Sequence, residues 1–383
     1  ALVIVVLTGL YTIAGGLRAV VYTEAVQMIV LISGSAIVTI LGLRELGGWG
    51  NLVATAGSDH LNLFQPASHP EFPWPGMVLA PPIVGLWYWC TDQYIVQRAL
   101  AARDETQARR GTIWAAYLKI LPFFIFLIPG VIAYALARTG RIELAAADQA
   151  FPVMVKALLP VGLRGLVAAG LLAALMSSLA AVFNSCSTLF TMDIYKKLRP
   201  GAAERTLVRI GRIATGVVVV FGILWIPLMQ NISGELYHYL QSVQAYIAPP
   251  IAAVFFLGLF WKRLNAAGAM SALVGGFAVG MLRLVAELNK EALSGALYWF
   301  ADVNFLYFAI LLAAVCVALL VVVSLATPAP GFEQIRGLTY ATTMADQRAA
   351  SRASWNARDV VLSLIVLVIL AAIMVYFSPL GVG

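Results

Sequence analysis

Ala174, Ser177 and Ser178 stand at i, i+3 and i+4 of an apolar stretch, so one backbone carbonyl and two hydroxyls share a helical face. Small alkali cations ask for several oxygens and no softer ligand, which makes this face a candidate for part of a sodium shell. The spacing equally suits serines that bond their own i−4 carbonyls or pack as small residues between helices. Lys119 sits in the middle of another apolar stretch, Tyr117-Leu-Lys-Ile-Leu-Pro. A lysine near the centre of a membrane helix costs roughly 2.5–3.5 kcal/mol on insertion scales, so it should face a polar cavity, a carboxylate or a ligand, unless it snorkels toward Arg110. Its three donors suit a neutral hydroxylated compound.

A third constellation is Trp87-Tyr-Trp-Cys-Thr-Asp-Gln93, which follows Gly85 and runs on to Arg98. Flat aromatic faces stack on sugar C–H surfaces while Asp92 and Gln93 bond hydroxyls, so Tyr88, Trp89, Asp92 and Gln93 form a candidate binding wall; Trp and Tyr also belong to ordinary membrane interfaces. Gln241 and Glu24 are further polar candidates, each also readable as an end-of-helix residue in water. Pro81-Pro82 and Pro249-Pro250 fall inside apolar stretches, where each proline removes a backbone donor and frees a carbonyl. Such interrupted helices point to a midplane site in a transporter, or else to simple kinks.

The elements that must position these residues are membrane helices. Of 383 residues, 61% are hydrophobic and only 11% charged, too apolar for a water-soluble domain of this length. Ten apolar runs, centred on residues 1–14, 20–43, 76–96, 112–136, 163–190, 209–229, 236–261, 267–287, 304–326 and 360–377, are each expected to cross the roughly 30 Å hydrocarbon core as a helix. No hydrophilic stretch is long enough for a second domain, so residues 1–383 read as one membrane domain. The connection over 44–75 is expected outside the cell, and that over 327–358 is expected to be a cytoplasmic linker or surface helix.

The net charge of +7 is unevenly spread. Seventeen basic residues fall in alternate connections, including Arg18, Arg98, Arg109, Lys196, Arg212, Lys262 and Arg352, against six in the others. This is the positive-inside pattern of an inner cell membrane protein, and it places the C-terminus outside. The first run starts with no Met, no basic segment and no cleavage site, which predicts that sequence precedes it. Cys90, Cys186 and Cys316 lie in apolar runs, and His60, His69 and His238 form no zinc motif. Nothing resembles an enzyme's nucleophile and base, and no nucleic-acid partner or organic cofactor is implied.

Taken together, Tyr11-Thr-Ile-Ala-Gly-Gly-Leu-Arg-Ala-Val, Trp87-Tyr-Trp-Cys-Thr-Asp-Gln, Ala174-Leu-Met-Ser-Ser, Phe183-Asn-Ser through Asp193-Ile-Tyr, Tyr246-Ile-Ala-Pro-Pro and Phe260-Trp-Lys-Arg resemble the sodium/solute symporter family, its sodium/glucose cotransporter branch in particular. The resemblance implies an all-α, LeuT-type inverted-repeat fold lacking its first helices, with the first run here matching the fourth core helix. It implies sodium-coupled sugar uptake by alternating access. Ala174 (through its carbonyl), Ser177 and Ser178 match the common sodium site. Tyr88 matches the inner-gate tyrosine, Trp89 its stacking neighbour, and Lys119, Gln241 and Gly85 sugar-contact positions.

The departures are equally specific. Glu24 stands where such cotransporters carry Asp near the sodium route. Ala180 and Ala181 replace hydroxyls of members with a second sodium site, so one sodium per sugar is expected. Gly85 and His238 alter the pocket edge, leaving open a symporter for inositol, sialic acid, proline or an anion, or a non-transporting sensor of the same fold. Only about half of the binding site is expected in this polypeptide.

Overall fold

The computed structural model describes residues 2–230 and 236–382, and the side chains of all but 14–21, 23, 227–230, 236 and 238 among them. The side chains of Arg18 and His238 therefore lie outside the described residues. In chain order the α-helices are α1 (Leu2–Leu46), α2 (Trp49–Ala56), α3 (Trp74–Cys90), α4 (Gln93–Leu100), α5 (Glu105–Pro122), α6 (Ile128–Arg138), α7 (Ala150–Leu158), α8 (Val161–Leu189) and α9 (Lys196–Leu198). They continue as α10 (Glu204–Gln230), α11 (Leu236–Phe260), α12 (Ala266–Leu288), α13 (Gly295–Asp302), α14 (Phe305–Ala326), α15 (Phe332–Ile335), α16 (Ala345–Ala353) and α17 (Ala357–Tyr376). No strand occurs among the described residues.

Among the described residues eight segments are long and apolar enough to cross a membrane, from Glu24–Leu46 to Ala357–Tyr376. The other two expected runs map differently. The first is the shorter apolar segment Leu2–Ile13 within α1. The third, expected over 76–96, is divided: α3 is 17 residues long and stops at Cys90, because Asp92 adopts an extended backbone and caps α4 with its side chain. The expected outer loop is also more structured than a linker, since it holds α2, and the segment over 327–358 carries α15 and the charged surface helix α16.

The chain packs as two compact units. Unit 1 comprises Ala1–Leu61 with Ala115–Gly234. Within it α1 runs against α8, with Gly34 seated on Val167 and Gly170 on Val30 and the Leu31 backbone. Small residues at these crossings let helix backbones approach closely where apolar burial gives no preference over lipid. Pro122 ends α5, and the π-helical turn Phe123–Leu127 joins it to α6, whose Ile132, Ala133 and Leu136 are fully buried.

Unit 2 comprises Asn62–Trp114 with Glu235–Gly383, and its core gathers α3, α11, α12 and α14 around Tyr246, Phe308, Leu312 and Cys316. Neither proline pair interrupts its helix: Pro81 and Pro82 lie inside α3, and Pro249 and Pro250 inside α11. In α11 the reason is visible. Pro250 frees the Tyr246 carbonyl, and the α12 backbone comes up against that oxygen at Gly280, where any Cβ would collide with it. One turn earlier, Gly276 receives the Pro250 ring; a Cβ there would stand 2.6 Å from Pro250 Cγ and 2.5 Å from Cys316 Sγ. The ring thus sits in a glycine groove, and the helix passes through.

Just beyond that groove lies a charge that the sequence leaves inside a helix. Arg283, only 2% exposed, donates to the Val303 carbonyl at 2.8 Å and approaches Glu287 at 3.9 Å. Tyr246 donates its hydroxyl to Glu287, and the Arg283 guanidinium lies 5.4 Å from the Tyr246 ring centre and 5.5 Å from that of Phe308. A buried guanidinium is tolerated here because a carboxylate, a carbonyl and two aromatic faces surround it.

Candidate functional site

The expected site residues are distributed over both units. Glu24, Lys119, Ala174, Ser177 and Ser178 belong to unit 1, and Gly85, Tyr88, Trp89, Asp92, Gln93 and Gln241 to unit 2.

In unit 1 the candidate cation face is built by α8 against α1. The Ser177 hydroxyl donates to Glu24 Oε1 at 2.8 Å, although 153 positions separate the two residues. Both are half-buried, as is Ala174, while Ser178 is exposed. A serine hydroxyl has one proton and two lone pairs. With its proton directed at a carboxylate, the Ser177 oxygen turns its lone pairs elsewhere and gains negative character, which is what a sodium ligand requires. Glu24, the weaker of the expected ligands on sequence grounds, is thus the one that structure ties to Ser177. Sequence reasoning missed Tyr11, whose hydroxyl donates at 3.0 Å to the carbonyl of Met176, the residue before Ser177. That bond fixes the turn of α8 from which the two serines project; the sole signal was the Tyr-Thr-Ile-Ala-Gly-Gly string. Lys119 projects from the last turn of α5, directly before the π-helical turn, and is exposed.

In unit 2 the aromatic wall is continuous. Tyr88 meets Trp89 edge to face, with ring centres 5.1 Å apart, and tilts against Trp87 at 6.0 Å. Gly85 lies one turn before Trp89, and a Cβ at 85 would touch the Trp89 ring at 3.8 Å, an ordinary contact. Trp89 is 47% exposed. Gln241, on α11, donates to the Tyr237 hydroxyl at 3.1 Å, which orients its amide and brings in a second residue not anticipated.

Asp92 has a structural task. Its carboxylate accepts from the Tyr94 amide at 3.1 Å and starts α4, with Gln93 as the first helical residue. Arg98 lies 5.2 Å from the centre of the Tyr94 ring. Asn is as good a cap as Asp, whereas Ala is not. Asp92→Asn is therefore expected to keep the thermal stability of the protein and Asp92→Ala to lower it by about 1 kcal/mol, measured by thermal unfolding in detergent. Equal losses for the two would show that the charge, and not the cap, is what matters.

The chain is similar to known proteins in sequence and in fold. The family model described as "Sodium:solute symporter family" matches residues 1–276. Over 383 aligned residues the chain is 40% identical to the sodium/mannose cotransporter of Bos taurus, covering 90% of this chain and 64% of that protein. It is 38% identical over 372 residues to sodium/myo-inositol cotransporter 2 of Mus musculus and 38% over 376 to sodium/glucose cotransporter 4 of Homo sapiens, covering 55% of each. The chain thus spans between half and two thirds of the length of these curated relatives. A solved structure of a Na+-coupled sialic acid symporter, substrate-bound and outward-open, superposes with a TM-score of 0.69 at 22% identity, covering 85% of this chain and 66% of that one. The expected all-α symporter fold is therefore the one observed.

Proposed function

We propose that this chain, which belongs to the sodium:solute symporter family, is the greater part of a carrier that uses a sodium gradient to take up a sugar-like solute by alternating access. The observation that carries this reading is the Ser177–Glu24 hydrogen bond, which arms the α8 face for a cation. The names of the relatives, sodium cotransporters of mannose, myo-inositol and glucose, support a neutral polyhydroxylated solute.

In this reading Ala174, Ser177, Ser178 and Glu24 hold sodium, and its binding favours the outward-open state. Within unit 2, Trp89, Gln93 and Gln241 bind solute, closure follows, and movement of Tyr88 opens the inner exit. Lys119 and Gln241 bond hydroxyls, and Trp89 stacks on the ring. Asp92 contributes by setting the start of α4. The protein sits in the inner cell membrane with its C-terminus outside, no covalent step occurs, and no organic cofactor is needed.

One sodium per solute fits Ala180 and Ala181, both fully buried and without side-chain oxygens. At 100 mV and a tenfold gradient a single ion supplies about 3.7 kcal/mol, enough for a several-hundred-fold accumulation. The test is uptake of labelled glucose, mannose and myo-inositol into vesicles holding the full-length parent. Sodium-dependent flux of one of them with a Hill coefficient near one is expected. A coefficient near two overturns the stoichiometry, and no sodium-dependent flux of any polyol, alongside flux of an amino acid or anion, overturns the solute class.

A further inference from the structure

A second polar site lies in unit 1, at the opposite end of α8 from its start. There α8 passes into the π-helical turn Phe190–Tyr195, an irregularity that interrupts the regular ladder and often marks function. Thr191, in that turn, is only 6% exposed, yet among the described residues its hydroxyl has no hydrogen-bond partner. It borders a cleft of about 820 Å³ formed by α1, α8 and α10.

The lining has a definite chemistry. Ser187 and Thr215 both donate to the Gly211 carbonyl, at 2.7 and 3.0 Å, so their protons are spent on the wall. Thr191 is not committed in this way. Gly211 keeps the cradle open: a Cβ there would stand 3.3 Å from Ser187 Oγ and 3.5 Å from Thr191 Oγ1. Lys196 and Arg212 also line the cleft, and among the described residues neither pairs with a carboxylate. Asp193 is taken by Lys197 at 3.4 Å. Glu204, in the first turn of α10, is the carboxylate on the lining and offsets part of this charge while complementing the helix dipole.

Two free cations, a buried hydroxyl donor and four apolar neighbours, Ile13, Met192, Leu207 and Val208, describe a receptor for an anion with a greasy attachment. The cleft also sits in the most basic connection of the chain, where Lys196, Lys197, Arg199, Arg205, Arg209 and Arg212 fall within 17 positions, on the face that the charge pattern assigns to the cytoplasm. Clusters of this size beside membrane helices attract anionic lipid, and basic pockets between helices seat its headgroup. We propose that this cleft binds the phosphate of an anionic phospholipid headgroup, with Lys196 and Arg212 on the phosphate, Thr191 donating to one of its oxygens, and the apolar wall under the glycerol.

The test uses the full-length parent in phosphatidylcholine nanodiscs carrying a graded fraction of phosphatidylglycerol, with retained lipid counted by native mass spectrometry. Wild type should retain phosphatidylglycerol in preference to phosphatidylcholine. The Lys196→Gln, Arg212→Gln pair should weaken retention by about tenfold or more, since two charge-assisted contacts are lost. Thr191→Val, which keeps shape and burial, should weaken it several-fold with no change in unfolding temperature. Lys262→Gln, in a different basic connection, should leave retention unchanged and serves where the double variant folds poorly. Equal retention in wild type and Thr191→Val overturns the proposal. So does inorganic phosphate that binds the cleft as tightly yet displaces no lipid.

Discussion

Ser177→Ala in the full-length parent is expected to raise the sodium concentration for half-maximal solute uptake by roughly ten- to a hundredfold. The Ser177 hydroxyl donates to Glu24 Oε1 at 2.8 Å and presents its lone pairs to the α8 face. Alanine removes a cation ligand and leaves Glu24 one donor short. Hydrogen bonds to charged groups contribute about 1.5–3 kcal/mol, and each 1.4 kcal/mol is tenfold in affinity, which sets the range. Glu24→Gln should also raise the sodium requirement, because the amide retains an oxygen but loses the charge. If the two act through one another, the double variant costs less than the sum of the singles, as a double-mutant cycle reads directly. An unchanged sodium activation curve in Ser177→Ala would remove Ser177 from the site altogether.

The largest structural effect is expected at Gly280. A methyl group there meets the Tyr246 carbonyl oxygen, and a backbone atom inside a packed helix has nowhere to go. Gly280→Ala should therefore destabilise the protein by about 1–3 kcal/mol, as overpacking does, against the ordinary gain of about 0.5–1 kcal/mol for replacing glycine by alanine within a helix. Gly258, on α11, is the control: nothing lies within 4 Å of a Cβ at that position. Gly258→Ala should be neutral or stabilising in the same unfolding assay. Opposite signs at the two glycines are the signature of the close approach; equal behaviour would mean that α11 and α12 do not meet there.

The contrast between these two glycines also shows what was legible in the sequence. Apolar length and low charge were enough for the membrane helices, because in hydrocarbon no other element satisfies its own backbone. The proline pairs misled, since the residues that accommodate Pro250 are Gly276 and Gly280 on a different helix, at a distance that no local pattern reports. Asp92 has a task that its aromatic neighbours do not signal, since its carboxylate stands one position before α4 and caps it. Ser177 and Ser178 stood out by spacing, but Glu24, the partner of Ser177, lies on α1 and only the fold brings it there. Tyr237 and Thr191 carried no signal, as an isolated hydroxyl in an apolar stretch has many ordinary uses.

Arg283 and Glu287 impose an order on how the chain is made. Exposed alone to lipid, α12 would carry two charges near its end, each costing roughly 2.5–3.5 kcal/mol at the centre of a span and less toward the interface. Glu287 finds its donor already synthesised, since Tyr246 is on the preceding helix. The acceptor for Arg283, the Val303 carbonyl, emerges 20 residues later. As these helices leave the ribosome, α12 can thus settle against α11 at once but is complete only when the chain beyond α13 has arrived. The three helices α11, α12 and α14 are then best understood as one insertion unit, in which Arg283 is short of an acceptor until Val303 is in place.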